Sequence, residues 1–484
     1  MSTDPGLRRL ALHTLLAAFP GHTAPGWALE LLADGLAGHT LFGTNVADPV
    51  QLAALTADLR TARPDALLAI DEEGGDVTRL GHRTGSPYPG NAALGAVDDP
   101  ELTRLVYAAI GTDLAAAGIN LNLAPTVDVN TADDNPIIGT RSFGSDPALV
   151  ARHAGAAITG LESTGVAACA KHFPGHGATV SDSHLELPTV DVPLPVLRDR
   201  DLPPFAAAVA AGAQAVMSAH IRVPSLTGDS PATFSRAALT GLLRGEYGFR
   251  GVIVTDALEM HGAAGAAGSI PLAAVAALTA GADLLCIGAD VDRPLVEAVA
   301  AEIAAAATDG RLPLDRLENA AARTAALAAW SSTPRTAGSR DADLGVAAAR
   351  RAVLVEGSPA ELASPLVVQF VAGHSIAEGR VPWGLRPHLN GTEILEVEAG
   401  EASPESLASR AGSRPVVIVG RRLHNSPAAR SIVEKLAAER AVGVVEMGWP
   451  SSWRPEGVRA FVVTHGASLA NGRAAAEVLG LAAH

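Results

Sequence analysis

Aromatic residues make up only 4% of the 484-residue chain while hydrophobic residues reach 48%, a balance that disfavours an aromatic-rich recognition surface and favours helices packed closely on strands. Cysteine is scarcer still. The two present, Cys169 and Cys286, both fall in apolar strand-like runs, where a buried free thiol is the expected state, so nothing calls for an oxidising compartment. Basic clusters are missing as well. The formal net charge is −15, and without grouped Lys and Arg to neutralise phosphates no nucleic-acid partner is expected. No run of about 18 apolar residues appears, and Met1 to Pro20 lacks the apolar region and cleavage pattern of a signal peptide, so no membrane partner is expected and the cytoplasm is the default location. No internal repeat of fixed period is visible.

What the chain does have is one unit used again and again: a short apolar run that ends in polar residues, followed by a helix-like stretch. After a helix expected over Leu10 to Ala37, the runs are His39 to Asn45, Leu67 to Ile70 leading into Asp71, Ile119 to Pro125 leading into Asp128, and Val166 to Ala170 leading into Lys171. Three more follow, Ala215 to Ala219 into His220, Val252 to Thr255 into Asp256, and Asp283 to Ile287 into Asp290. Alternating strand and helix imply a parallel sheet. Seven units with room for an eighth, and polar residues gathered at the C-terminal strand ends, favour a TIM-like (β/α)8 barrel over the competing open doubly wound sheet. The polar, Pro- and Gly-containing stretch Ser331 to Arg340 fits a linker. The expected domains are a barrel over 1–332 and a smaller α/β sandwich over 341–484, with strands at Val353 to Val355, Leu366 to Val371, Val416 to Val419, Val442 to Glu446 and Phe461 to Thr464. In the second domain Trp383, Trp449 and Trp453 fit core or interface positions better than a sugar site.

The chemistry concentrates between Lys171 and His184. A lysine, three histidines and a carboxylate stand there on a segment whose Pro174, Gly175 and Gly177 forbid regular helix. Asp182 and His184 are two residues apart, so in extended backbone both project to one side and form a proton-transfer pair. Zinc is the rival reading of His172, His176 and His184, but no helical His-x-x-x-His pair and no Cys ligand accompany them, so no metal and no cofactor are expected. Asp256 follows four consecutive β-branched residues and should emerge at a barrel rim, with a helix cap as its competing role. Asp71 and Arg79 flank Gly74-Gly75, and Arg141 lies in a further strand-end loop; an Asp–Arg pair holding a loop competes with ligand contact for any one of them, while their convergence favours a polar ligand.

Taken together, Lys171 to Gly177 with Asp182-Ser183-His184, Asp71 to Gly75 with Arg79, Arg141-Ser142-Phe143, and Val254 to Leu258 resemble the motifs of family 3 glycoside hydrolases, in particular the β-N-acetylglucosaminidase branch. The resemblance runs from about Leu41 to Gly288 and extends more loosely over the second domain. It implies Asp256 as nucleophile, His184 supported by Asp182 as general acid/base, and Asp71, Arg79, Arg141, Lys171 and His172 as the groups that hold the sugar. The implied enzyme is a retaining exo-β-N-acetylglucosaminidase acting on peptidoglycan fragments or chitooligosaccharides. A phosphorylase that uses phosphate as acceptor, a β-glucosidase, and a non-catalytic sugar-binding protein are the alternatives. Two positions depart from the branch, Ala178 in place of Asp and Glu72 in place of Gln; the second adds a charge beside Asp71 that would raise a pKa there.

Overall fold

The computed structural model describes residues 4–181, 186–289, 291–333, 341, 343–371 and 373–482. By packing, Met1–Glu72, Pro100–Ile138 and Gly144–Arg340 form one unit, and Glu73–Asp99, Gly139–Phe143 and Asp341–His484 form a second. Residues 334–340 of the expected linker, and Asp290, lie outside the described residues.

The first unit is a (β/α)8 barrel. Its strands are β1 (Leu15–Ala17), β2 (Gly38–Leu41), β3 (Leu67–Ile70), β4 (Leu121–Asn122), β5 (Ala167–Phe173), β6 (Ala215–Ser218), β7 (Val252–Thr255) and β8 (Leu285–Cys286). They pair in parallel in the order β7-β6-β5-β4-β3-β2-β1-β8, and a parallel bridge from Val254 to Leu284, with the Thr255 N–H on the Leu284 carbonyl at 2.9 Å, links the two ends. Side chains alternate in and out along each strand. Leu67 and Ala69, Leu121 and Leu123, Ala167 and Cys169, Ala215 and Met217, Val252 and Val254, and Leu284 and Cys286 share one buried cluster, while intervening residues such as Leu68, Ile70, Ala168 and Ile253 are buried outside that cluster. Several connecting helices begin at an Asp whose carboxylate caps the first turn, followed by Pro, as in Asp48-Pro49 and Asp146-Pro147.

The strand that completes the ring lies where one long helix was expected. Leu10 to Ala37 divides into a helix over Pro5–Leu12, strand β1, and a helix over Gly26–Asp34. Leu15, Leu16 and Ala17 are all buried, and a strand buried on both faces has the same unbroken apolar composition as a buried helical turn. Pro20, Gly21 and Pro25 mark the break, and the Asn45 side-chain amide ties that loop down by donating to the carbonyls of Phe19 at 2.7 Å and Gly21 at 2.8 Å.

The sheet of the second unit contains β9 (Leu354–Gly357), β10 (Leu366–Phe370), β11 (Ile394–Val397), β12 (Val416–Gly420), β13 (Val442–Glu446) and β14 (Ala460–Val463), in the order β11-β10-β12-β13-β14-β9. All pairs are parallel except β14 with β9. β10, β12, β13 and β14 are buried throughout and were legible as strands; β11 is a half-exposed edge strand whose mixed Ile-Leu-Glu-Val run was not. Apolar clusters lie on both faces of this sheet. Among the described residues no single helix is long and apolar enough to cross a membrane.

Candidate active site

The alternation that fills the barrel also decides what stands at its mouth. Continuing the inward phase of β3 from Leu67 and Ala69 reaches Asp71; continuing β5 from Ala167 and Cys169 reaches Lys171; continuing β7 from Val252 and Val254 reaches Asp256. Three charged residues thus succeed apolar ones on the inner side at the C-terminal ends of alternate strands, the end where barrels carry their chemistry. Lys171 Nζ donates to Asp71 Oδ1 at 2.7 Å, and the lysine side chain is only 3% exposed. Beneath them the Cys169 thiol is pushed far up by burial, an effect that Lys171 opposes and the charges of Asp71 and Asp256 reinforce.

On the next residue of β5, His172 Nδ1 lies 2.7 Å from Asp128 Oδ2. Asp128 is fully buried and its Oδ1 also accepts from the backbone N–H of His176 at 2.7 Å and of His172 at 3.2 Å. Burial works against its ionisation, but His172 and the His176 N–H outweigh that and hold the carboxyl below the usual carboxylate range. With a carboxylate on Nδ1, that nitrogen carries the proton in the neutral ring, so Nε2 is the nitrogen presented as acceptor. His176 Nδ1 meets Thr179 Oγ1 at 2.6 Å, and burial pushes this imidazole down to about 4, so it is neutral at neutral pH. The loop carrying both histidines has little room: a Cβ on Gly177 would stand 1.9 Å from the Val129 carbonyl oxygen.

Asp256 is half-buried, its N–H donates to the Ser218 carbonyl at 3.1 Å, and its Oδ1 accepts from the Ala257 N–H at 2.8 Å. Buried His220, at the end of β6, reaches the Ala257 carbonyl through Nε2 at 3.0 Å and Thr233 Oγ1 through Nδ1 at 2.9 Å. The nucleophile candidate is therefore fixed from both sides by the backbone and by a neighbouring strand end.

Asp182 and His184 lie outside the described residues. Arg79 and Arg141 fall in the second unit. There Arg141 makes a bidentate pair with Glu73, Nε to Oε2 at 2.9 Å and Nη2 to Oε1 at 2.8 Å, both side chains buried. Arg79 donates to the carbonyls of Ala377 at 2.7 Å and Glu378 at 3.2 Å. Sequence reasoning missed Asp128, Glu73 and His220 as supporting groups. Asp128 and His220 each follow an apolar strand, a signal that was present but shared with other strand ends. Glu72 is held through its backbone, its N–H and carbonyl paired with the Asn122 side chain at 3.0 and 2.8 Å.

Comparison with known proteins matches residues 26–327 to the glycosyl hydrolase family 3 N-terminal domain. The chain belongs to glycosyl hydrolase family 3. It is 36% identical over 332 residues to β-hexosaminidase A of Pseudoalteromonas piscicida, covering 63% of this chain and 55% of that protein, so it spans just over half of that relative's length. It is 39% identical over 281 residues to a β-hexosaminidase of Xylella fastidiosa, covering 56% of this chain and 82% of that one. Among solved structures, a glycoside hydrolase family 3 β-N-acetylglucosaminidase from Paenibacillus sp. str. FPU-7 superposes with a TM-score of 0.87 at 32% identity, over 99% of this chain and 97% of that one.

Proposed function

We infer that this protein is a retaining exo-β-N-acetylglucosaminidase. The observation that carries the reading is the place of Asp256 on the inward phase at the C-terminal end of β7, with its N–H held by the Ser218 carbonyl and its Oδ1 by the Ala257 N–H. The names of relatives at 36–39% identity and of the 32%-identical structure support the sugar. In this reading an Asp256 carboxylate oxygen attacks the anomeric carbon while His184, oriented by Asp182, gives its proton to the departing glycosidic oxygen. The covalent glycosyl-enzyme is then attacked by water, whose proton returns to His184, and the two inversions give net retention. Asp71, Lys171 and His172 are the groups proposed to hold the sugar's hydroxyls and N-acetyl group, a role that the sequence resemblance also implies for Arg79 and Arg141. Peptidoglycan fragments or chitooligosaccharides are the proposed substrates and the cytoplasm the proposed location.

Water is the proposed acceptor. The sequence shows no dedicated phosphate-binding loop, and Lys171 is already paired with Asp71 at 2.7 Å. The test is hydrolysis of an aryl β-N-acetylglucosaminide by the wild-type chain and by Asp256→Ala, with a fluorosugar to trap the intermediate for intact-mass analysis. Near-normal activity of Asp256→Ala would overturn the assignment of the nucleophile, a strong preference for the matching glucoside would overturn the sugar, and a sugar 1-phosphate formed in millimolar phosphate would overturn the acceptor.

A further inference from the structure

In the sheet of the second unit the chain leaves β10 toward β11 on one side, whereas it leaves β12 toward β13 on the other. The loops after β10 and β12 therefore part, and in open α/β sheets the crevice at such a reversal, outside the C-terminal strand ends, is where ligands bind. A pocket of about 270 Å³ occupies this position, lined by the loop after β10 (Gly373, His374, Glu378, Arg380, Trp383) and by Arg421 immediately after β12. We propose that this pocket is a saccharide site of the second unit that takes one pyranose ring.

The chemistry of the lining selects the ligand. Arg421 is already engaged by two carboxylates, Glu378 Oε1 at 2.9 Å and Asp76 Oδ2 at 3.1 Å, so the pocket floor offers no surplus positive charge to a phosphate or carboxylate. Asp76 is itself fixed by the Ala467 N–H at 2.7 Å and the Thr140 hydroxyl at 2.6 Å and serves as scaffold. Glu378 Oε2 remains to accept a hydroxyl, and the exposed Arg380 and His374 supply donors. The half-buried Trp383 indole borders the same space, with the Arg421 guanidinium 5.8 Å from its ring centroid. An aromatic edge beside paired acceptors and donors suits a ring that is apolar through its C–H groups and polar through its hydroxyls. The volume lies below the roughly 300–1,000 Å³ of pockets for drug-sized ligands, which limits the occupant to a single ring.

The inference does not depend on turnover, and its test is kept separate. Binding of N-acetylglucosamine and of glucose is measured by calorimetry and tryptophan fluorescence on the full chain carrying Asp256→Ala. Because the sugar-holding groups of the barrel are intact in this variant, the expected result is two classes of sites, one of which is abolished by Gly373→Leu, a pocket-lining position where an added Cβ meets nothing within 4 Å. Arg380→Ala should weaken the same class roughly fivefold, the effect of one hydrogen bond. Unchanged melting temperatures for both variants, read alongside, establish that the fold is intact. Sugar binding that is the same with and without Gly373→Leu, or no binding beyond a single site that this variant leaves untouched, overturns the proposal. Failure of the wild-type chain to cleave the aryl N-acetylglucosaminide would instead refute the activity proposed above and leave this measurement unaffected.

Discussion

Replacing Asp128 by Asn tests whether the tautomer of His172, proposed above as a sugar-binding ring, is set by the carboxylate on its Nδ1. The Asn carbonyl oxygen can still accept the two backbone N–H groups now on Oδ1, at 2.7 and 3.2 Å. Its amide nitrogen then replaces Oδ2 and confronts His172 Nδ1, a donor against a donor. The ring escapes only by moving its proton to Nε2, which turns that nitrogen from acceptor into donor. What is lost is one buried charge-assisted hydrogen bond, about 1.5–3 kcal/mol, or roughly 10- to 150-fold at about 1.4 kcal/mol per decade. On the role proposed for His172 the loss should fall mainly on KM for an aryl N-acetylglucosaminide, because a ring that binds ground state and transition state alike contributes uniform binding. Urea denaturation gives a second reading. Since the folded pKa of Asp128 is depressed, its contribution is present above the unfolded value of about 3.9 and is lost as pH falls through the folded value. The stability gap between wild type and Asp128→Asn should therefore be full at neutral pH and close in acid below about pH 4. A variant whose kcat/KM stays within about twofold of wild type, with no stability gap at pH 7, would refute the reasoning.

Lys171→Met should remove the cation 2.7 Å from the partly buried Asp71 carboxylate and cost up to about 3 kcal/mol, the low end for breaking a buried pair; adding Asp71→Asn should restore much of the stability in denaturant titrations but none of the activity. Burial pushes the imidazoles of His39 and His176 down to about 4. In the unfolded chain they titrate near 6.5, so stability is full above about pH 6.5 and declines toward pH 4, by about 3 kcal/mol for each fully buried ring; a His39→Asn variant with an unaltered slope of melting temperature against pH would contradict this. Gly177→Ala should abolish activity and lower the melting temperature, because its Cβ would lie 1.9 Å from the Val129 carbonyl oxygen; wild-type kinetics in this variant would mean that the loop has another packing.

The barrel was legible because seven of its strands are buried runs that end in polar residues, a pattern carried entirely by neighbours in sequence. β1 was not, since Leu15, Leu16 and Ala17 are apolar in any period, and only the ring's need for a strand between β2 and β8 distinguishes them from helix. The same division runs through the site. Asp71, Lys171 and Asp256 announce themselves by position at strand ends, whereas the partners that orient the other groups come from 44 residues away for His172 and 68 for Arg141. Nothing local marks those pairings. Arg79 adds a further long-range pairing that nothing local marks: it donates to the carbonyls of Ala377 and Glu378, 298 and 299 residues on.

Inward alternation does more than deliver charges to the barrel mouth; it also sets the medium in which they act. The residues two below Lys171 and two below Asp256 on their strands are Cys169 and Val254, both buried and apolar, with Cys286 of β8 in the same cluster. The thiol of Cys286 is driven up first by burial and then by the charge of Asp256, with Cys169, Asp71 and Glu259 adding to it, so the floor lies in a region of low dielectric and negative potential. Both properties would favour the transition state of the proposed reaction, which gathers positive charge at the anomeric carbon. A carboxylate directly above such a floor stabilises that charge more strongly than it would in water, because little solvent is present to screen the interaction. Lys171 opposes the charges of Asp71 and Asp256 where all three act on the buried Cys169. The small and apolar residues of the inner layer, which the sequence used in place of aromatics, are thus part of the chemistry as well as of the packing.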